Sequence, residues 1–183
     1  MVGHFFIVAT PLWSNNKIVR LSIAVNYSPF SFQKHSEKII IAEVISPGSD
    51  SKILQGYSWE VVRESFHNRG YTIHLTVAPW ARAMMYMENQ DVDLLFPTAY
   101  TKKRAQKYYY SKAYIHRVNL LVYTLKDSAL KWNGLESLNG KPVTIIRGFS
   151  AGPLWNNQSL IDEFPVSTIQ QALGMLDKKR VVG

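Results

Sequence analysis

The residues best suited to chemistry lie between Asp93 and Tyr114, in the run DLLFPTAYTKKRAQKYYYSKAY. Residues 92–96 read as a strand that Pro97 ends, and a loop rich in Thr and Tyr hydroxyls follows. Arg104 comes shortly after. Ligands of open α/β sheets bind at the C-terminal ends of strands. An arginine there can grip a carboxylate through two parallel hydrogen bonds, and Thr98 and Thr101 could supply further donors. A solvated basic helix beside a structural loop fits the same residues.

The cations of this segment alternate with Tyr108, Tyr109 and Tyr110, which invites a nucleic-acid reading. Three adjacent residues cannot all face one way, however, and on a strand Tyr109 points opposite to its neighbours. No helix-turn-helix, zinc-finger or RNA-recognition pattern accompanies them. No nucleic-acid partner is therefore expected.

Gly148-Phe149-Ser150-Ala151-Gly152 matches G-x-S-x-G between a strand and a predicted helix. A hydrolase triad of that order needs an acid and then a histidine after the serine. His116 is the last histidine, so that triad cannot form within this chain. Two readings remain: anion binding by backbone N–H groups at a helix N-terminus, and a plain strand-to-helix turn. Tyr27-Ser28-Pro29-Phe30 and Trp80 place aromatic rings beside strand ends, where they suit a ligand wall or the core. Glu60 and Glu64 stand one helical turn apart, as many solvated pairs do. No set of residues is arranged for acid–base catalysis, and no enzyme is expected. The five histidines lack metal-ligand spacing and there is no cysteine, so neither metal nor other cofactor is expected.

These residues need a scaffold, and the chain can build one. Its 183 residues are 46% hydrophobic and 19% charged, the composition of a folded protein. The formal net charge is +8, compatible with an anionic ligand or surface but not diagnostic of either. Residues 21–25, 39–45, 72–77 and 92–96 read as strands, with helices at 57–68 and 80–89 between the later ones. That alternation predicts an α/β sheet with a parallel component. A long apolar strand is expected at 118–124. Beyond it come a strand at 142–146, a helix at 168–178 and the start of a strand at 181–182. Residues 5–13 form an apolar run, readable as an export signal without its basic start or as a buried strand.

In order, YSPF (27–30), GYSWEVVRESFHNRGY (56–71), APWARAM (78–84), DVDLLFPTAYTKKR (91–104), YSKAY (110–114), LESLNGKPVTIIRGFS (135–150) and QALGMLDKKRVVG (171–183) resemble one family. It is family 3 of the bacterial extracellular solute-binding proteins, the polar amino-acid-binding proteins of ABC transporters. The resemblance implies a two-lobed α/β fold of the periplasmic-binding type II class, with residues 1–20 a degraded leader, 21–115 the first lobe and 116–183 an incomplete second lobe. It implies that Arg104 holds a ligand carboxylate, with Thr98 and Thr101 around it and Ser150 contributing from the second lobe. Tyr27 and Trp80 would flank the ligand, and Tyr100 would add a contact. The implied ligand is an amino acid or small carboxylate. The implied partner is an ABC transporter permease, and the implied protein is a monomer in the periplasm or otherwise outside the cytoplasm. An enzyme on the same scaffold (a dehydratase or a peptidoglycan-lyase-associated domain) and the sensor domain of a receptor are the alternatives.

Three features depart from the family pattern. The loop from Asp93 to Arg104 is about one residue short and carries Pro97-Thr98, and the stretch 37–51 is long. The sequence stops before the acidic residue expected after RVVG. A C-terminal truncation is the expectation.

Overall fold

Leu21, Ser22 and Ile23 lie side by side in one strand, and all three are buried. A strand buried on both faces belongs in the middle of a parallel sheet. The computed structural model, which describes residues 2–8, 17–24, 27–34 and 41–183, places it there. The chain divides into two units, residues 1–118 and 119–183.

The strands of the first unit are β1 (Val2–Val8), β2 (Ile18–Ala24), β3 (Phe32–Gln33), β4 (Ile41–Ile45), β5 (Leu54–Gln55), β6 (Thr72–Ala78), β7 (Leu94–Ala99), β8 (Tyr109–Tyr110) and β9 (His116–Val118). Its helices are α1 (Tyr57–His67), α2 (Trp80–Glu88) and α3 (Lys102–Ala105). The main sheet runs β4-β6-β2-β7-β1-β8, with β9 also on β1. Strands β6, β2 and β7 are parallel, with Leu21 beside Leu75 and Leu94, and Ile23 beside Val77 and Phe96. The strands flanking these three, β4 and β1, are antiparallel to their neighbours β6 and β7. The expected α/β sheet with a parallel component is thus present.

Helix α1 buries Trp59, Val62 and Phe66, spaced to fall on one face. Helix α2 does the same with Trp80, Ala83 and Met87. Pro79 caps α2, where its missing N–H costs no helical hydrogen bond. The turn before α1 requires glycine: Gly56 has φ +118°, and a Cβ there would stand 2.6 Å from the Phe30 carbonyl oxygen. Between β4 and β5 the chain is pinned by Asp50, which accepts a 2.9 Å hydrogen bond from the Trp59 indole and faces Arg63 at 3.4 Å.

Several sequence expectations change. Strand β7 does not end at Pro97 but continues to Ala99. Opposite it, the β1 register shifts between Phe5 and Ile7, and such an irregularity accommodates a residue with no N–H to donate. The expected strand at 118–124 is reduced to β9, His116–Val118. Its ladder on β1 ends at the pair Val2 and Val118, and Leu121 beyond it is 70% exposed. The apolar run at 5–13 forms strand β1 as far as Val8, and residues 9–13 lie outside the described residues, as do 39 and 40 of the predicted 39–45 strand.

The second unit holds β10 (Pro142–Ile146), α4 (Pro153–Asn156), β11 (Asp162–Val166) and α5 (Ile169–Asp177). Strands β10 and β11 are parallel, and Leu138, Val143, Trp155 and Ile161 form the unit's core. Strand β11 was hidden in the sequence by Pro165, which a two-stranded edge tolerates. The Thr168 hydroxyl caps α5 by accepting from the Gln171 N–H, and the Gln171 side chain accepts in return from the Ser167 N–H. Residues 182 and 183 run alongside β10: Val182 N–H donates to the Pro142 carbonyl, and Thr144 N–H to that of Gly183.

Candidate functional site

Three parallel strands of the first unit end on one edge, with β2 between β6 and β7. Each delivers a candidate residue just beyond its C-terminus. Tyr27 follows β2, Trp80 follows β6, and Tyr100, Thr101 and Arg104 follow β7. A sheet edge of this kind leaves the crevices in which α/β proteins bind ligands.

Arg104 is held from several sides. Its guanidinium lies over the Trp80 indole, 5.6 Å from the ring centroid, and Nη1 donates to the Ala99 carbonyl at 3.2 Å. Its backbone N–H donates to Thr101 Oγ1 at 3.1 Å, so Thr101 caps the short helix α3. Burial lowers the pKa of Arg104, with Tyr110 and Tyr108 acting the other way. A cation partly withdrawn from water gains more from an anion than one on the open surface. Tyr110 donates its hydroxyl to the same Ala99 carbonyl at 3.0 Å, and its ring packs on Tyr100 at 5.1 Å. Tyr100 itself is half exposed.

Thr98 departs from its expected role. It is fully buried, and its hydroxyl donates to the Leu95 carbonyl at 3.3 Å. The cause is the extension of β7 past Pro97, which places Thr98 within a strand that is buried throughout.

Tyr27 opens a tight turn. Its carbonyl accepts from the N–H groups of Phe30 and Ser31, and the Phe30 carbonyl accepts from Ser58 N–H at the start of α1. The Tyr27 ring packs on Phe30 at 5.3 Å, and burial pushes its phenol up to about 12. Two histidines complete this cluster. His116 stacks on Phe30 at 4.0 Å and on His4 at 4.7 Å, and its Nδ1 lies 2.8 Å from Ser58 Oγ. Burial, followed by the proximity of His4, lowers His116 to about 4. Sequence reasoning missed both histidines, because only the pairing of β1 with β9 brings them together.

In the second unit, Ser150 is 7% exposed and its hydroxyl accepts from Asn156 Nδ2 at 3.0 Å. The helix expected after it, α4, has four residues and begins with Pro153, which has no N–H to offer. The helix-terminus form of the anion-binding reading is not realised. What remains is a polar turn, with Gly148 and Gly152 at positive φ.

The sequence pattern described as "Bacterial extracellular solute-binding proteins, family 3" matches residues 46–176. No curated protein matches the chain. Among solved structures, an ancestral arginine-binding protein bound to glutamine has a TM-score of 0.65 at 14% identity, over 92% of this chain and 68% of that one. A Salmonella typhimurium periplasmic binding protein with high arginine specificity has a TM-score of 0.61 at 15% identity, over 91% and 67%. A mutant of ArgBP from T. maritima has a TM-score of 0.61 at 13% identity, over 91% and 66%. The chain thus spans about two thirds of the length of these proteins. At such identities the likeness is one of fold, and that fold is the expected α/β type II periplasmic-binding class.

Proposed function

The chain belongs to the extracellular solute-binding proteins of family 3, and we propose that it captures an amino acid or a small carboxylate for transport or sensing. Arg104 holds the ligand carboxylate in this reading. Trp80 and Tyr27 flank the ligand, Tyr100 borders it, and Thr101 fixes the helix that carries Arg104. Ser150 is a further candidate ligand contact. The observation that carries the reading is the convergence of Tyr27, Trp80 and Arg104 at the ends of three adjacent parallel strands.

The family and the matched structures are binding proteins, and the family description places its members outside the cytoplasm. Among the described residues no helix is long and apolar enough to cross a membrane. We extend this to a periplasmic, monomeric carrier that hands its ligand to an ABC transporter permease. Some matched proteins bind arginine and one is seen with glutamine, so both belong in the first ligand panel.

The test is thermal melting of the 183-residue chain with and without pooled L-amino acids and small carboxylates. A ligand that binds only the folded state raises the melting temperature by mass action. One pool should shift the melt, and Arg104→Ala should abolish the shift. A cooperative melt that no pool moves would overturn the reading.

A further inference from the structure

We propose that the stacked rings of His4 and His116 form an acid-sensitive latch that holds β9, the last strand of the first unit, against β1. The two residues are direct partners in the β1–β9 ladder, and the Ile115 N–H donates to the His4 carbonyl at 2.6 Å. Their rings lie 4.7 Å apart and 16° from parallel. Phe30 covers the other face of His116 at 4.0 Å, and Tyr27 stands 5.8 Å from His4 and 6.1 Å from His116. His4 is 1% exposed, and His116 Nε2 is buried without a hydrogen-bond partner.

The groups around His116 favour its neutral form. From α1 comes the Ser58 hydroxyl, on His116 Nδ1, while Glu60 on the same helix is exposed. From the turn after β2 comes the Tyr27 phenol, which burial keeps protonated and uncharged. From β7 the register partner of His4 is Ala99. On β9 itself Arg117 lies against the Tyr114 ring, 4.1 Å from its centroid. Among the described residues that lie against His116 there is no carboxylate. Protonated His116 would carry a second N–H at Nε2, aimed at no acceptor, and its charge would face His4. The ring can then gain water only by leaving the stack. Its departure would take β9 off β1, because three residue pairs make up that ladder. Close to neutral pH the His116 ring is uncharged and the latch is shut.

Amide hydrogen exchange of the 183-residue chain tests this without any ligand. Rates corrected for intrinsic pH dependence are compared at about pH 6.5 and about pH 4.5. Segments 2–8 and 113–118 should lose protection by roughly ten-fold or more at the lower pH, while β2 and β6 keep theirs. His116→Gln, which retains a polar partner for Ser58 but cannot ionise, should remove the difference. Equal wild-type protection at both pH values would overturn the proposal, as would the same opening in the variant. NMR titration of the wild-type histidine rings provides a check that needs no variant. The His116 ring should titrate well below its free value, together with the amides of residues 115–118. Titration near the ordinary value, or without that backbone response, would also overturn it.

Discussion

Arg104 and Trp80 meet across the sheet edge, with the guanidinium 5.6 Å from the indole centroid. Trp80 begins α2 and Arg104 lies in α3, so this contact joins the elements that follow β6 and β7. A ligand carboxylate on Arg104 would change the field at the indole. Ligand binding is therefore expected to alter tryptophan emission in wild type, and Trp80→Phe should remove most of that signal while keeping a thermal shift. Arg104→Lys keeps the charge but loses the planar fork, and a charged hydrogen bond contributes about 1.5–3 kcal/mol. Its affinity, measured by calorimetry, should fall by roughly ten-fold or more.

Tyr27 should resist ionisation. Burial pushes its phenol up to about 12, so its neutral form is favoured in the folded protein. A raised acid of this kind contributes stability that is complete below about pH 10 and is lost as pH rises toward 12. Comparing the ultraviolet pH titrations of wild type and Tyr27→Phe isolates this residue. The difference should show no tyrosinate near pH 10 until the protein unfolds. A tyrosinate step at the ordinary value would place Tyr27 in water.

His116 imposes the opposite slope in acid. Its folded value near 4 lies below the ordinary 6.5, so the unfolded chain binds the proton first as pH falls. Stability is complete above about 6.5 and declines down to about 4. The loss should be about 1–2 kcal/mol, since partial contact with solvent screens the effect. Urea denaturation at several pH values measures it. His116→Gln should flatten the curve across that window, leaving only the slope due to other groups.

Much of the sheet edge was legible from local sequence. Pro79-Trp80 and Gly70 mark helix boundaries by their own backbone chemistry, and the apolar spacing in α1 and α2 is strong. What stayed hidden depends on distant partners. Thr98 is buried because β7 runs past Pro97 alongside an irregular β1, and nothing near residue 97 encodes that register. The stretch 119–124 is apolar enough for a strand, but a strand needs a ladder, and the one on β1 stops at Val118. His4 and His116 carry no local signal at all, since their meaning arises only when β1 and β9 pair.

Gly56 links the fold to the site by close approach. At φ +118° it occupies backbone space that side chains avoid, and a Cβ would fall 2.6 Å from the Phe30 oxygen and 2.8 Å from the Pro29 oxygen. Both obstacles are backbone atoms, so no rotamer change relieves the clash. The Phe30 carbonyl also accepts from Ser58 N–H at 2.7 Å, so pushing the turn away breaks the tie between Tyr27-Phe30 and α1. Gly56→Ala is expected to destabilise the protein by about 2–4 kcal/mol, combining backbone strain with overpacking. Ser58 would also shift from His116, so the mutant should lose ring-current shifts at Phe30 and His116 in NMR spectra. A substitution that leaves both stability and those shifts unchanged would mean that the turn is held by something other than this contact.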